Sequence, residues 1–341
     1  SIRYTPYRKI YYVIYRQAVV PEVPSMKRSA FIYMIILAHA LPLYGVETAA
    51  SITADLAIYP EAGIDEGGGF APVTGIYTAA EARITGDFSL IWPVPFGDNP
   101  LVSGNTLIFS TQLELTPVSI APAVKLTFTP IAFLVFNAGG RIGGAWDFIG
   151  VQGLASYDAE KRTYISLSPF SSFHYELWAE GIFQFDLAAL LPGEWNHVVF
   201  LASYKAMYEA ITRGGENGKP WVWQGLYEKA NGWKYISSVV IGYQMPLVLQ
   251  MAAVQAEFEG YYSPSSYHTR YEPWNPSFVT ISVSPILNFQ FTEKQSLLVQ
   301  FRFRSRRGYE DASSGIPVPE REHQTRQWYF DRIALSYTYR F

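Results

Sequence analysis

The residues of this chain that could do chemistry are charged side chains at alternate positions. Arg302, Arg304 and Arg306 recur every second residue, and Arg332 and Arg340 follow in the last stretch. Glu257 and Glu259 share that spacing. Glu176 and Glu180 lie in a run with His174 and Asp186, and His197, Lys205 and Glu209 follow in the next run. Side chains two apart lie on one face of an extended strand, so each set makes a charged row. A basic row facing an acidic row across a narrow space sets up a transverse field that orients a solute, as charged side-chain rings set selectivity in pores. The same charges can instead pair and fill the space between them. Arg304 and Arg306 can also stand beyond a bilayer, meeting phosphate groups or water.

Enzyme chemistry has little support. Beyond residue 50 there are four histidines, His174, His197, His268 and His323. His268 neighbours Ser263, Ser265 and Ser266, and His323 neighbours Glu320 and Glu322, but neither spacing is specific. No His-Glu-x-x-His, Gly-x-Ser-x-Gly or phosphate loop occurs. Gly139-Gly140 and Gly143-Gly144 suit a bulge or tight bend at a strand end. With no cysteine in 341 residues, thiol nucleophiles, disulfides, zinc ribbons and iron–sulfur sites are excluded. No metal or cofactor is implied.

The elements that must carry these rows are strands. Val279, Ile281, Val283, Leu287, Phe289 and Phe291 alternate with polar residues, as do Leu297, Val299, Phe301 and Phe303. From Tyr329, the odd positions Asp331, Ile333, Leu335, Tyr337, Tyr339 and Phe341 alternate with Arg332, Ala334, Ser336, Thr338 and Arg340. Period 2 over such lengths marks strands with one apolar and one polar face. Soluble strands run about 5–6 residues, whereas a tilted membrane-spanning strand needs about 9–11. Charged residues are 16% of the chain and aromatics 16%. That low charge argues against disorder, and the lack of a long apolar run after the leader argues against spanning helices.

The first fifty residues are read separately. Residues 1–25 are expected to be an upstream extension outside the native protein. Met26-Lys27-Arg28, an apolar run from Ala30 to Leu43 and the small residues before Ala50 form an export signal over 26–50. Cleavage is expected after Ala50, with Ala40 as the alternative. Without the six basic and two acidic residues of 1–50, 20 basic residues face 27 acidic ones, a net of −7. That leaves no basic nucleic-acid footprint.

Export, aromatics clustered at strand ends and connections of alternating length favour lipid over a soluble core on the apolar face. Residues 51–341 are therefore expected to form an all-β, closed antiparallel transmembrane barrel of 12 strands, within a range of 10–14. The expected strands are 51–60, 73–84, 87–94, 104–116, 120–143, 171–187, 195–210, 233–245, 247–261, 276–291, 296–307 and 327–341. A turn is expected at Thr85-Gly86-Asp87, and 104–116 is expected to run down, towards the periplasm. Pro122 and Pro130 should mark bulges or bends in 120–143, and a real turn at Thr129-Pro130 would raise the count. Residues 211–232, with Trp221-Val222-Trp223 as a hairpin projecting above the membrane, form an outer loop, as do 146–170, 262–275 and 308–326.

The chain ends Tyr337-Thr338-Tyr339-Arg340-Phe341. This ending resembles the C-terminal signature of bacterial outer-membrane β-barrel proteins. The resemblance implies an outer-membrane location with periplasmic termini, contact with membrane lipid, and reading of the last strand by the barrel-assembly machinery. The expected function is a porin-like channel for small hydrophilic solutes, with a constriction formed by the charged rows. The alternative is a closed barrel that displays its loops, with Trp221, Trp223, Tyr261, Tyr262, Trp274 and Tyr309 available to a ligand or host partner. Uptake of hydrophobic solutes would need a lateral opening or a plug.

Overall fold

The computed structural model describes residues 45–63, 69–94, 96–99, 101–262, 278–309 and 323–341. In chain order the strands are β1 (Glu47–Ala62), β2 (Val73–Pro93), β3 (Thr106–Thr116), β4 (Ser119–Ile131), β5 (Leu134–Ala145), β6 (Leu154–Asp158), β7 (Thr163–Ser166) and β8 (His174–Asp186). There follow β9 (His197–Ile211), β10 (Trp221–Trp223), β11 (Leu226–Lys229), β12 (Gly232–Gln244), β13 (Leu249–Tyr261), β14 (Thr280–Gln290), β15 (Gln295–Tyr309) and β16 (His323–Arg340). Twelve of them close an antiparallel barrel in the order β1-β16-β15-β14-β13-β12-β9-β8-β5-β4-β3-β2. Closure gives each barrel strand a neighbour on both sides, the condition for crossing lipid with strands. The other four, β6, β7, β10 and β11, form a separate sheet in the order β11-β10-β6-β7.

The barrel is apolar outside and polar inside. Ile52, Leu56, Phe88, Leu113, Phe136, Phe183, Ile241 and Val254 are exposed, while Thr53, Ser89, Ser110, Glu114, Asn137, Glu180 and Gln255 are buried. In a soluble sandwich the apolar face would be covered. Here it forms the outer wall, and the alternation places the charged rows in the lumen. Both ends of the barrel chain meet at one rim, where the Phe341 N–H donates to the Ala50 carbonyl at 3.1 Å. That terminal rim also holds the connections 94–105, 132–133, 187–196, 245–248 and 291–294, while the opposite loop rim holds the two-residue 117–118 and the long stretches 146–173 and 212–231.

The count of twelve agrees with expectation although two assignments inside it do not. No turn interrupts Thr85-Gly86-Asp87. β2 runs straight through, with Thr85 opposite Thr53 and Asp87 opposite Ser51 on β1. Glycine at 86 costs little because nothing lies within 4 Å of where its Cβ would stand. Conversely, 120–143 is two strands, β4 and β5, joined at 132–133. The register shift between them falls between Phe128 and Ile131, around Pro130, whose missing N–H cannot serve the ladder. The two errors cancel in number but invert β3, which runs from the terminal rim to the loop rim.

Two further differences matter for the lumen. The alternation of the last strand slips at Asp331, where a bulge opposite Arg302 and Phe303 shifts the register. Asp331 therefore faces inward with Arg332 instead of outward with Ile333. The hairpin at Trp221-Val222-Trp223 does not project into the open: all three residues are buried. β1 begins at Glu47, and Glu47 to Ala50 pair with β2 from Ile91 to Phe88.

Candidate functional site: the charged lumen

Inward positions on β15 and β16 carry the arginine rows as spaced. Arg302 Nε lies 2.5 Å from Asp331 Oδ2, and Arg304 Nη2 lies 3.8 Å from Glu259 Oε2 on β13. The basic and acidic rows thus touch. Arg306 stacks over the Tyr329 ring at 4.8 Å and donates from Nη2 to the Gly63 carbonyl at 2.6 Å. Arg332 reaches across to β1 and β2, with Nη1 3.1 Å from the Tyr59 hydroxyl and 3.6 Å from Glu81 Oε2. Arg340 stands apart from these at the terminal rim, opposite Ser51.

The acidic wall contains its own cations. Lys234 of β12 pairs with Glu209 and, at 3.0 Å, with Glu259, while Lys229 of β11 donates to Glu209 Oε1 at 2.5 Å. Lys205 stands opposite Glu180 in the β8–β9 register, its ammonium 5.2 Å over the Trp178 ring. Asn137 donates to Glu180 at 2.9 Å. Glu257 shares the face of Glu259 one pair along β13. His197 Nδ1 lies 2.7 Å from Asp186 Oδ2 near the terminal rim. The charges therefore alternate in sign around the lumen instead of forming two opposed walls, because a buried charge without a counter-charge costs several kcal/mol.

Several lumen residues had no motif to announce them. Arg83 on β2 pairs with Asp55 at 2.9 Å and Glu114 at 3.4 Å, and Arg141 on β5 pairs with Glu114 as well. Glu81 and Arg83 show the same two-residue spacing as the arginine rows, which was the available signal. Arg141 sits in a glycine-rich stretch and gave none.

His174, Glu176 and Glu209 offer ligand atoms all within 4.8 Å of one another. The ammonium groups of Lys229 and Lys234 already take the cation's place on Glu209. His268 and the side chain of His323 lie outside the described residues, as do Trp274, the side chain of Tyr309 and nearly all of the expected outer loops 262–275 and 308–326.

Two features fill part of the bore. Towards the terminal rim, Val135, Ile182, Val199, Leu201, Val240, Met251, Ala253, Ile286 and Leu298 form a buried apolar cluster inside the barrel wall from β5 to β15. At the loop rim the β10–β11 hairpin folds inward. Trp223 stacks on His174 with ring centroids 4.1 Å apart, and Gln224 Nε2 donates to Ser119 Oγ at 2.7 Å and Glu114 Oε1 at 3.1 Å. Gly143 makes room for it, since a Cβ there would lie 2.6 Å from the Trp223 ring. Tyr261 turns inward to the hairpin's far end, its hydroxyl accepting from Ala230 N–H at 3.1 Å, while Tyr262 faces outward beside Tyr204 and Tyr235. The Tyr pair thus divides between lumen and outer girdle.

What stays open lies along β15, β16, β1 and β2. Side chains there keep access to water: Arg83 24%, Glu81 31%, Arg332 22% and Arg304 29%. Across the lumen Glu209, His174 and Glu176 keep 0–4%. A cavity on the open side is lined by Asp55, Glu81, Arg83, Gln300 and Arg332.

No family model matches the chain, and no curated protein matches it. Among solved structures, a KdgM porin aligns at 10% identity over 85% of this chain and 99% of its own, with a TM-score of 0.32. An outer membrane channel from Pseudomonas putida F1 aligns at 11% over 89% and 97%, with a TM-score of 0.39. The β domain of a Bordetella autotransporter aligns at 8% over 86% and 100%, also at 0.39. Likeness at these scores carries nothing about activity.

Proposed function

We propose that the chain is an outer-membrane barrel that passes small hydrophilic solutes along a narrow polar track on one side of its lumen. The observation that carries this reading is the uneven water access inside the barrel: Arg83, Glu81, Arg304 and Arg332 of the β15–β16–β1–β2 wall keep 22–31% exposure, whereas His174, Glu176 and Glu209 across the lumen keep 0–4%. Arg302, Arg304, Arg306 and Arg332 would supply donors to a solute, and Asp55 and Glu81 acceptors. Arg340 would lie at the track's terminal end, and Lys205, Glu176, Glu180, Glu257 and Glu259 would set its electrostatic background. In this reading the signal peptide is cut after Ala40, which leaves β1 whole. The termini face the periplasm, lipid surrounds the apolar wall, and the assembly machinery reads Tyr337, Tyr339 and Phe341.

A second reading, a closed barrel that displays its loops, draws on the apolar cluster and on Trp223, which both narrow the bore. Conductance across a planar bilayer separates the two. The channel reading expects small stepwise currents whose ion selectivity moves towards cations in Arg304→Gln. A folded barrel that passes no current at any voltage would overturn it in favour of display.

A further inference from the structure

The seam that closes the barrel is interrupted. β1 and β16 pair from Ser51 and Arg340 as far as Ile58 and Ile333. Beyond that level β1 continues beside β2, and β16 continues beside β15. The next backbone contact on the free side of β16 is at Trp328, which accepts from Ala71 N–H at 2.7 Å and donates to the Gly69 carbonyl at 3.0 Å. Between Trp328 and Ile333 lies a stretch of β16 with no ladder to β1 among the described residues. At about 3.3 Å per residue this is a slot roughly 15 Å tall. Unpaired backbone facing lipid is costly, so a slot in this position calls for a polar occupant.

Side chains, not backbone, span the slot. Arg332 reaches Tyr59 and Arg306 reaches Gly63. Among the described residues both cations are under-compensated. The hydrogen bonds of Arg306 go to the Gly63 carbonyl and the Gln327 amide oxygen, neither a carboxylate. Arg332 has its carboxylate at 3.6 Å, and its Nε is buried without a hydrogen-bond partner. The outer rim is aromatic: Phe70 lies 6.1 Å from Phe303, which lies 5.1 Å from Phe330, and Phe70 is 51% exposed. Arg332 also lines the polar cavity of the open track, which lies beside the paired part of the seam at Asp55 to Ala57.

We propose that this slot is a lateral portal that takes the phosphate-bearing head of an amphiphile from the surrounding leaflet. The guanidinium groups of Arg306 and Arg332 hold the head by charge-assisted hydrogen bonds, and the three phenylalanines line the path of its alkyl chain. The inference stands on the seam and does not depend on the barrel conducting ions.

The test uses the whole barrel refolded in a neutral detergent and a dodecyl phosphate carrying a photoactivatable diazirine on its chain, with adducts mapped by mass spectrometry. Adducts are expected on Phe70, Phe303 and 328–330. They should fall at least fivefold in the Arg306→Gln/Arg332→Gln double variant and at least twofold in Phe70→Ser. Phe70→Ser alters an exposed residue, so it decides the matter if the double variant fails to fold. Excess unlabelled dodecyl phosphate should suppress the adducts, and excess inorganic phosphate should not. Adducts spread evenly around the apolar belt, or unchanged in a folded variant, would overturn the portal. Suppression by inorganic phosphate would overturn it in favour of a site for free anions.

Discussion

Asp331 and Arg332 are neighbours in the chain, yet both send their side chains into the lumen, Asp331 to Arg302 and Arg332 to Tyr59 and Glu81. A bulge makes this possible, and it places two charges of opposite sign at the point where the seam opens. Asp331 is nearly buried, so removing its charge leaves Arg302 without its counter-ion. Asp331→Asn is expected to lower stability by about 3 kcal/mol, in the range for breaking one half of a buried pair. Urea unfolding in detergent, followed by tryptophan fluorescence, reads this directly. No change in the midpoint would show that the lumen is wet at this level.

Gly139 faces Trp178 across the β5–β8 ladder, and a Cβ there would lie 2.2 Å from the indole and 2.6 Å from the Val124 carbonyl. Gly139→Val should cost about 1–3 kcal/mol by overpacking. Gly86→Ala, with nothing within 4 Å, should be tolerated. Comparing the two unfolding midpoints tests whether the indole really lies flat against the inner wall.

Trp223 fills the loop rim against His174 and Gly143. If the barrel conducts, Trp223→Ala should raise the single-channel current, because it removes one of the two tryptophans of the inward hairpin. An unchanged current would place the hairpin away from the conducting path.

The chain has no cysteine, so single cysteines report orientation cleanly. Lys161, 67% exposed, follows β6 in the loop-rim sheet, and Glu293 lies exposed in the turn between β14 and β15. Lys161→Cys should react with a membrane-impermeant maleimide on intact cells, and Glu293→Cys only after lysis. The reverse pattern would turn the barrel over in the membrane.

Phe341 is 69% exposed, and its ring lies 5.2 Å from Tyr339 at the terminal rim. Its backbone already holds the seam to Ala50. Phe341→Ala should therefore leave the purified barrel's stability within about 0.5 kcal/mol, as for other exposed substitutions. The amount assembled in the membrane should fall several-fold. Equal assembly would remove the signature's role.

The expected strands from 171 onwards match the observed ones within a few residues, because there a two-residue period, interrupted at the bulge of Asp331, fixes strand and face. Errors arose where local signals were ambiguous. Thr85-Gly86-Asp87 has turn composition, but pairing with β1 on one side and β3 on the other overrides it. Pro130 marks a register shift, whereas Pro122 sits in a regular ladder opposite Leu113, and a register shift and a full turn two residues later look alike in a sequence. The arginine rows were visible as rows. Their partners Asp331, Glu81 and Tyr59 were not, since those contacts join segments up to 273 residues apart.

By itself, the sequence determined that the chain folds into long two-faced strands, because alternation is a local property of side-chain direction. It also marked many residues of the polar face, but not the bulge on β16, Arg141 on the second half of 120–143, or the apolar side chains that face inward. Only the tertiary structure decided how that face is used. Closure of the sheet brought basic and acidic rows within ion-pair distance. It also sealed one side of the lumen with apolar side chains and an inward hairpin, and left the other side open. The slot between β1 and β16 exists only because two strands from opposite ends of the chain pair for part of their length. That is a matter of how far the barrel's twist lets them run together, and no local pattern encodes it.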